Sequence, residues 1–187
     1  AKINQTDHAQ GHICPDTVRW LRYGPAGLRE IAKRTQAARP ENRGFYEGLI
    51  IALEGASLFM RRYAELAREM AGNAESPQEL LEIARVCDKL AENPPETYRE
   101  AVQASWFLYV ILQMESNASS FSPGRMDQYL YPFYKKDVES GAISEEDALE
   151  ITECLFLKFN QIVYLRSSGS AKYFAGFPIG FNVAVGG

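Results

Sequence analysis

The chain has 187 residues, 46% hydrophobic, 24% charged and 12% aromatic, with 20 Lys and Arg against 24 Asp and Glu. That apolar mass suits one domain with a real core and excludes a disordered chain. A formal net charge of −4 without basic blocks argues against nucleic acid or an anionic membrane surface as the partner. No apolar run reaches the roughly 18 to 20 residues of a spanning helix. The first eight residues, Ala1 to His8, hold no signal-peptide apolar stretch. Cys14, Cys87 and Cys154 are odd in number, far apart and without a C-x-x-C, which fits a reducing cytoplasm.

In chain order, Pro15-Asp16 opens a short helix that stops at Gly24, and Pro25 begins a second helix with Leu28, Ile31 and Ala32 as its apolar face. A longer helix is predicted from about Glu41 to Ala71, since Phe45, Leu49, Ile50, Leu53, Ala56, Phe59, Met60, Tyr63, Leu66 and Ala67 recur at helical spacing. Gly44, Gly48 and Gly55 inside it each cost about 1 kcal/mol against Ala, and close approach of a neighbouring backbone is their expected use. Ser76-Pro77-Gln78-Glu79 has the form of a capping box and starts the next helix, which ends at Asn93-Pro94-Pro95. A helix from Glu96 to about Gln113 follows. Its stretch Trp106 to Leu112 is apolar all round and is expected to be buried on most faces.

A small-residue loop, Ser116 to Gly124, leads into an aromatic-rich segment from Arg125 to Asp137. Ser144 with Glu145, Glu146 and Asp147 caps a last helix through about Leu165. Phe177 to Gly187 reads as extended chain, with Phe181 to Val185 as a strand that finds no partner elsewhere in the sequence. A lone strand cannot satisfy its backbone groups, so the chain is expected to be cut from something longer.

His8, His12, Cys14 and Asp16 form the one cluster of imidazole, thiol and carboxylate. The i, i+4 histidines resemble a zinc spacing, but Gly11 and Pro15 argue against one continuous helix presenting both rings. Hydrogen-bonding groups on an active-site wall, and ordinary capping, are the other readings. Arg125 and Asp127 read as an ion pair that locks a loop, and Ser119 and Ser120 either donate to a ligand or cap the following helix. Cys87 and Cys154 fall on apolar helix faces and are expected as buried structural thiols.

Four stretches occur here in one order: Gly11-His12-Ile13-Cys14-Pro15-Asp16, Asn93-Pro94-Pro95-Glu96-Thr97-Tyr98-Arg99-Glu100-Ala101, Ser122-Pro123-Gly124-Arg125-Met126-Asp127-Gln128-Tyr129-Leu130-Tyr131-Pro132, and Asn182-Val183-Ala184-Val185-Gly186-Gly187. Together they resemble the glycyl radical enzymes of the pyruvate formate-lyase-like branch, which includes glycerol and diol dehydratases, choline lyase and related decarboxylases. The resemblance implies a ten-stranded α/β barrel wrapped in helices. This chain would be mainly α, with 1–175 a helical region of the N-terminal half and 176–187 the start of a barrel strand. The implied activity is a lyase or dehydratase, or a formate acetyltransferase-like reaction. It cleaves a C–O, C–N or C–C bond of a small polar organic substrate by thiyl-radical chemistry.

No cofactor bound directly is implied, and no metal. A glycine near the family's C-terminus carries the radical, installed by an S-adenosylmethionine and iron–sulfur activating enzyme, and a cysteine relays it. Neither of those motifs occurs in these 187 residues, so the chain by itself is expected to be inactive. Carried over by position, substrate contacts fall to His8, Asp16, Ser119 and Ser120, and the structural motif to Arg125, Asp127, Gln128 and Tyr129. Diol-dehydrating members often carry His-Ser where this chain has Ser119-Ser120, which separates it from a glycerol or propanediol substrate. The resemblance also implies a cytoplasmic homodimer. The competing reading, from a different class, is a helical interaction domain without chemistry of its own.

Overall fold

The computed structural model describes residues 13–116, 121–162, 168–169, 172 and 182–186. Six helices are present among them: α1 (Thr17–Ala38), α2 (Arg43–Ala71), α3 (Pro77–Leu90), α4 (Tyr98–Ser116), α5 (Met126–Glu139) and α6 (Glu145–Phe159), with a 3-10 turn at Pro40–Asn42. The chain is mainly α, as the sequence predicts. It divides into two compact units, one of residues 18–96 and the other of 1–17 with 97–187.

In the first unit, α1 is two helices joined at Gly24, whose φ of 60° and ψ of 177° leave the helical region. The extended ψ is what a following proline demands, and the positive φ is what glycine alone adopts without cost. A Cβ at Gly24 would sit 2.6 Å from both the carbonyl carbon of Asn93 and the nitrogen of Pro94. The close backbone approach expected at Gly44, Gly48 and Gly55 is therefore made at Gly24. Around those three α2 glycines a Cβ would meet nothing within 4 Å.

One stripe of α2 is buried, formed by Leu53, Ala56, Ser57, Met60, Ala64, Ala67 and Ala71, whereas Phe45, Leu49, Tyr63 and Leu66 of the predicted apolar face are exposed. α2 packs against α3, whose buried residues are Ala84, Val86, Cys87 and Leu90. The small side chains bring the helix axes close. Ser57 meets Ala91 and Arg68 meets Asp88, so the two helices run antiparallel. Glu92 is the polar hub of this unit. Its carboxylate accepts from Arg29 and Arg61, and its backbone carbonyl accepts from Ala26 at 3.0 Å. Arg29 also donates to Ser57 Oγ at 2.7 Å, and Ser57 passes the bond on to the Ala91 carbonyl.

Two expectations are corrected in these helices. Ser76 makes no side-chain cap bond at α3, although its spacing to Glu79 matches a capping box. Cys154 is exposed, because the buried face of α6 runs through Ala148, Leu155 and Phe159 instead. Cys87 is buried as expected, and burial pushes its thiol up to about 11.

In the second unit, the start of α4 is capped twice. Thr97 and Glu100 form the reciprocal pair of a capping box, the Thr97 hydroxyl accepting from Glu100 N at 3.2 Å and the Glu100 carboxylate accepting from Thr97 N at 3.3 Å. Asp137, buried near the end of α5, accepts from Tyr98 N at 2.7 Å and so caps a neighbouring helix. Tyr98 in turn shares a 2.7 Å hydroxyl bond with Thr152 of α6. The Ser144–Asp147 capping box forms at α6 as the sequence predicts. Phe107 and Tyr109 of α4 are buried, with the Tyr109 ring edge-on to Phe159 at 5.1 Å. Trp106, Leu108, Val110, Ile111 and Leu112 are largely covered and no residue of the run is exposed, so it is buried on most faces as expected.

Two substitutions separate these roles. Gly24→Ala should destabilise by about 2 kcal/mol or more, from positive φ and overpacking together. Gly48→Ala, in open space on an exposed helix face, should stabilise by about 0.5–1 kcal/mol. Thermal unfolding followed by circular dichroism checks both. Asp137→Ala leaves the buried Tyr98 N–H without its acceptor and should cost about 1–3 kcal/mol. Urea unfolding should show Asp137→Asn, which keeps an acceptor oxygen, losing less.

Candidate functional site

Ile13 to Asp16 form the entry to α1, and they lie beside the loop that follows α4. Ser122 N donates to the Ile13 carbonyl at 2.8 Å, and Ile13 and Phe121 form an isolated parallel bridge. Thr17 N closes the turn on the Pro15 carbonyl at 2.8 Å. Gly124, with φ of 69°, holds the notch in which Cys14 sits: a Cβ at 124 would lie 2.6 Å from Cys14 Sγ.

The same loop also pairs with residues 182–186. Gly124 N donates to the Asn182 carbonyl at 3.3 Å, and Ala184 N donates to the Gly124 carbonyl at 3.0 Å, giving a second isolated parallel bridge between Gly124 and Val183. Asn182 N donates to Ser122 Oγ at 3.1 Å, and Gly186 N to Asp127 Oδ2 at 3.0 Å. The expectation that this extended segment has no partner in the sequence is therefore corrected. Gly124 is its partner, in a bridge that alternation patterns cannot reveal because the pairing residue has no side chain. No strand longer than a bridge is present among the described residues.

The Asp127 carboxylate faces a convergent set of donors. Arg125 reaches it with two nitrogens at 3.1 and 3.2 Å, and Gln128 Nε2 lies at 3.1 Å. The hydrogen bond from Arg125, then those from Gln128 and Gly186, hold its carboxyl well below the usual carboxylate range. The loop-locking ion pair read from the sequence is thus present, with a chain segment attached to it. Tyr129 donates to the Pro123 carbonyl at 3.0 Å, and burial pushes its hydroxyl above the ordinary phenol range.

Of the proposed substrate contacts, Asp16 is exposed at the start of α1. His8, Ser119 and Ser120 lie outside the described residues, as does His12. Among the described residues, no group of three His, Cys, Asp or Glu side chains gathers to hold a metal. A cleft lined by Pro15, Thr17, Tyr109, Met126 and Tyr129 offers only about 10 Å³, room for a single water. A shallower groove of about 400 Å³ lies between Tyr98, Tyr134, Glu145, Glu146 and Thr152. No helix among the described residues is long and apolar enough to cross a membrane. Ser122 and Gly124 are contributors that the residue-by-residue reading missed. Their partners lie about 60 residues along the chain, so no local pattern marks them.

The family model described as Pyruvate formate lyase-like matches residues 2–187. Probable dehydratase YbiW of Escherichia coli (strain K12) is 39% identical over 100% of this chain and 24% of its own length. The (2S)-3-sulfopropanediol dehydratase of Klebsiella oxytoca is 37% identical over 86% of this chain and 21% of its own. The glycerol-bound, B12-independent glycerol dehydratase of Clostridium butyricum superposes with a TM-score of 0.86 at 33% identity, over 94% of this chain and 23% of that one. The chain belongs to the pyruvate formate-lyase-like family of glycyl radical enzymes, and its helices adopt the fold of the matching part of those proteins. It spans about a quarter of the length of the relatives it matches.

The Asp127 contacts carry a pH signature. A carboxyl held below its unfolded value contributes stability that is fully present above about pH 4 and is lost as pH falls through the folded value. The Gly186 amide shift in NMR should therefore stay flat from about pH 7 to pH 4 and move only in stronger acid. Asp127→Asn should remove that acid transition.

Proposed function

We propose that the intact protein is a glycyl radical lyase or dehydratase acting on a small polar organic substrate, and that this chain supplies part of the substrate-pocket wall. The observation that carries the reading is the family match over 2–187 together with two named dehydratases for a diol and a triol among its relatives. The radical, installed elsewhere in the protein by an activating enzyme, supplies hydrogen abstraction. These 187 residues carry neither radical glycine nor relay cysteine motif, so on this reading they catalyse nothing alone.

Asp16 is the residue of this chain to which we give the first polar contact. Its carboxylate accepts a hydrogen bond from a substrate hydroxyl, or balances a cationic group. His8 hydrogen-bonds a hydroxyl or protonates one as it leaves, a role suited to a reference pKa near neutrality. Ser119 and Ser120 donate hydroxyl hydrogen bonds to the same substrate. The absence of an imidazole at Ser119 favours a substrate other than glycerol or propanediol. A second reading, a helical module that docks a partner without chemistry, draws on Phe45, Ile51, Leu58 and Met70, which α2 leaves exposed.

The test is the intact protein, activated anaerobically and assayed with glycerol and (2S)-3-sulfopropanediol alongside other small hydroxylated acids. A low-temperature paramagnetic resonance doublet from a glycyl radical is expected. Asp16→Asn should lower kcat/KM about tenfold or more, roughly 1.4 kcal/mol, at unchanged radical content. Failure to form any radical sinks the enzymatic reading in favour of the docking module, whereas unchanged kinetics removes Asp16 from the pocket.

A further inference from the structure

The Ser122–Asp127 stretch joins two chain segments that are remote from each other in sequence. The amide donors of Asn182, Ala184 and Gly186 are successive members of one edge of an extended chain. They are taken by three chemically different acceptors: the Ser122 hydroxyl, the Gly124 carbonyl and the Asp127 carboxylate. The change of acceptor has a cause. Pro123 offers no N–H, and after Gly124 the chain turns into α5, the Gly124 carbonyl already accepting from Met126 N at 3.0 Å. A backbone ladder cannot continue there. The Asp127 side chain, from the first turn of α5, reaches back and supplies the acceptor that the backbone no longer presents, with Arg125 fixing its rotamer.

The same stretch also holds Ile13 through the Ser122 N–H and the Phe121 bridge, and holds Cys14 in the Gly124 notch. Residues 121–124 thus carry both isolated bridges, with Asp16 three residues from one and Gly186 three residues from the other.

We infer that Ser122, Gly124 and Asp127 form a positioning element that fixes where the Asp16-bearing segment lies, anchored by residues 182–186. The inference rests on the reading of Asp16 as a substrate-facing group. Its physical content, that the clamp at 182–186 controls residues 13–16, is tested without turnover, so its failure is distinct from failure of the enzymatic reading. Asp127 acts through the clamp and touches no substrate.

Cys14, exposed and seated on Gly124, is a built-in reporter of that segment. In the intact protein, Asp127→Ala should speed hydrogen exchange at the Gly186 amide about tenfold, the loss of one charge-assisted bond. Ser122→Ala should do the same at Asn182, and Ser122→Thr, which keeps the hydroxyl, should restore protection. Both alanine variants should also raise the alkylation rate of Cys14 by iodoacetamide, read by peptide mass spectrometry, about threefold or more, while amides of α2 around Met60 keep wild-type exchange. Unchanged exchange at Gly186 and Asn182 overturns the clamp. Faster exchange there with an unchanged Cys14 rate overturns its control of the Asp16 segment. Should Asp127→Ala fail to fold, the Ser122→Ala and Ser122→Thr pair carries the same test.

Discussion

The absence of a side chain at residue 124 is the constraint on which the second unit's assembly rests. Its positive φ turns the chain between an extended stretch and α5, and the space a Cβ would take is filled by the sulfur of Cys14. With that approach allowed, Ser122 reaches the Ile13 carbonyl, and Gly124 itself presents N–H and carbonyl to residues 182 and 184. Any larger residue would have to push one neighbour away and strain its own backbone. The ion pair of Arg125 and Asp127 then acts on a geometry that the glycine has already made possible.

The unit of residues 18–96 solves a different problem by similar means. There the chain also passes a tight point at a positive-φ glycine, Gly24, against the backbone of Asn93 and Pro94. Around it, one carboxylate with two arginines ties α1, α2 and the end of α3 together. The Arg29 and Glu92 groups are partly covered, so the pair is screened less than the exposed helix-surface pairs such as Arg43–Glu47. Its hydrogen bonds also satisfy polar atoms that the close α2–α3 contact removes from water, notably Ser57 Oγ and the Ala91 carbonyl.

What the pairing of residues 13–16 decides is position more than acid–base strength. A segment entering a helix, as Ile13 to Asp16 does, is free to shift unless its backbone is paired. The bridge to Phe121 and the notch at Gly124 remove that freedom with few contacts.

Helix existence, and much of its extent, was legible in the residues, because apolar spacing, prolines and caps are local properties: Pro25 after Gly24, the Leu53, Ala56, Met60 and Ala67 part of the α2 face and the Ser144 cap all appear where the pattern puts them. The ordered motifs likewise pointed to the family. Tertiary packing decided what local pattern cannot encode. It took the cap at α3 away from Ser76 and placed one between Thr97 and Glu100, set Cys154 outward, moved the close backbone contact from the α2 glycines to Gly24, and gave Val183 a partner in Gly124. Each of these depends on which distant segment arrives at a given point, and a hydrogen bond or a steric notch exists only once both sides are present.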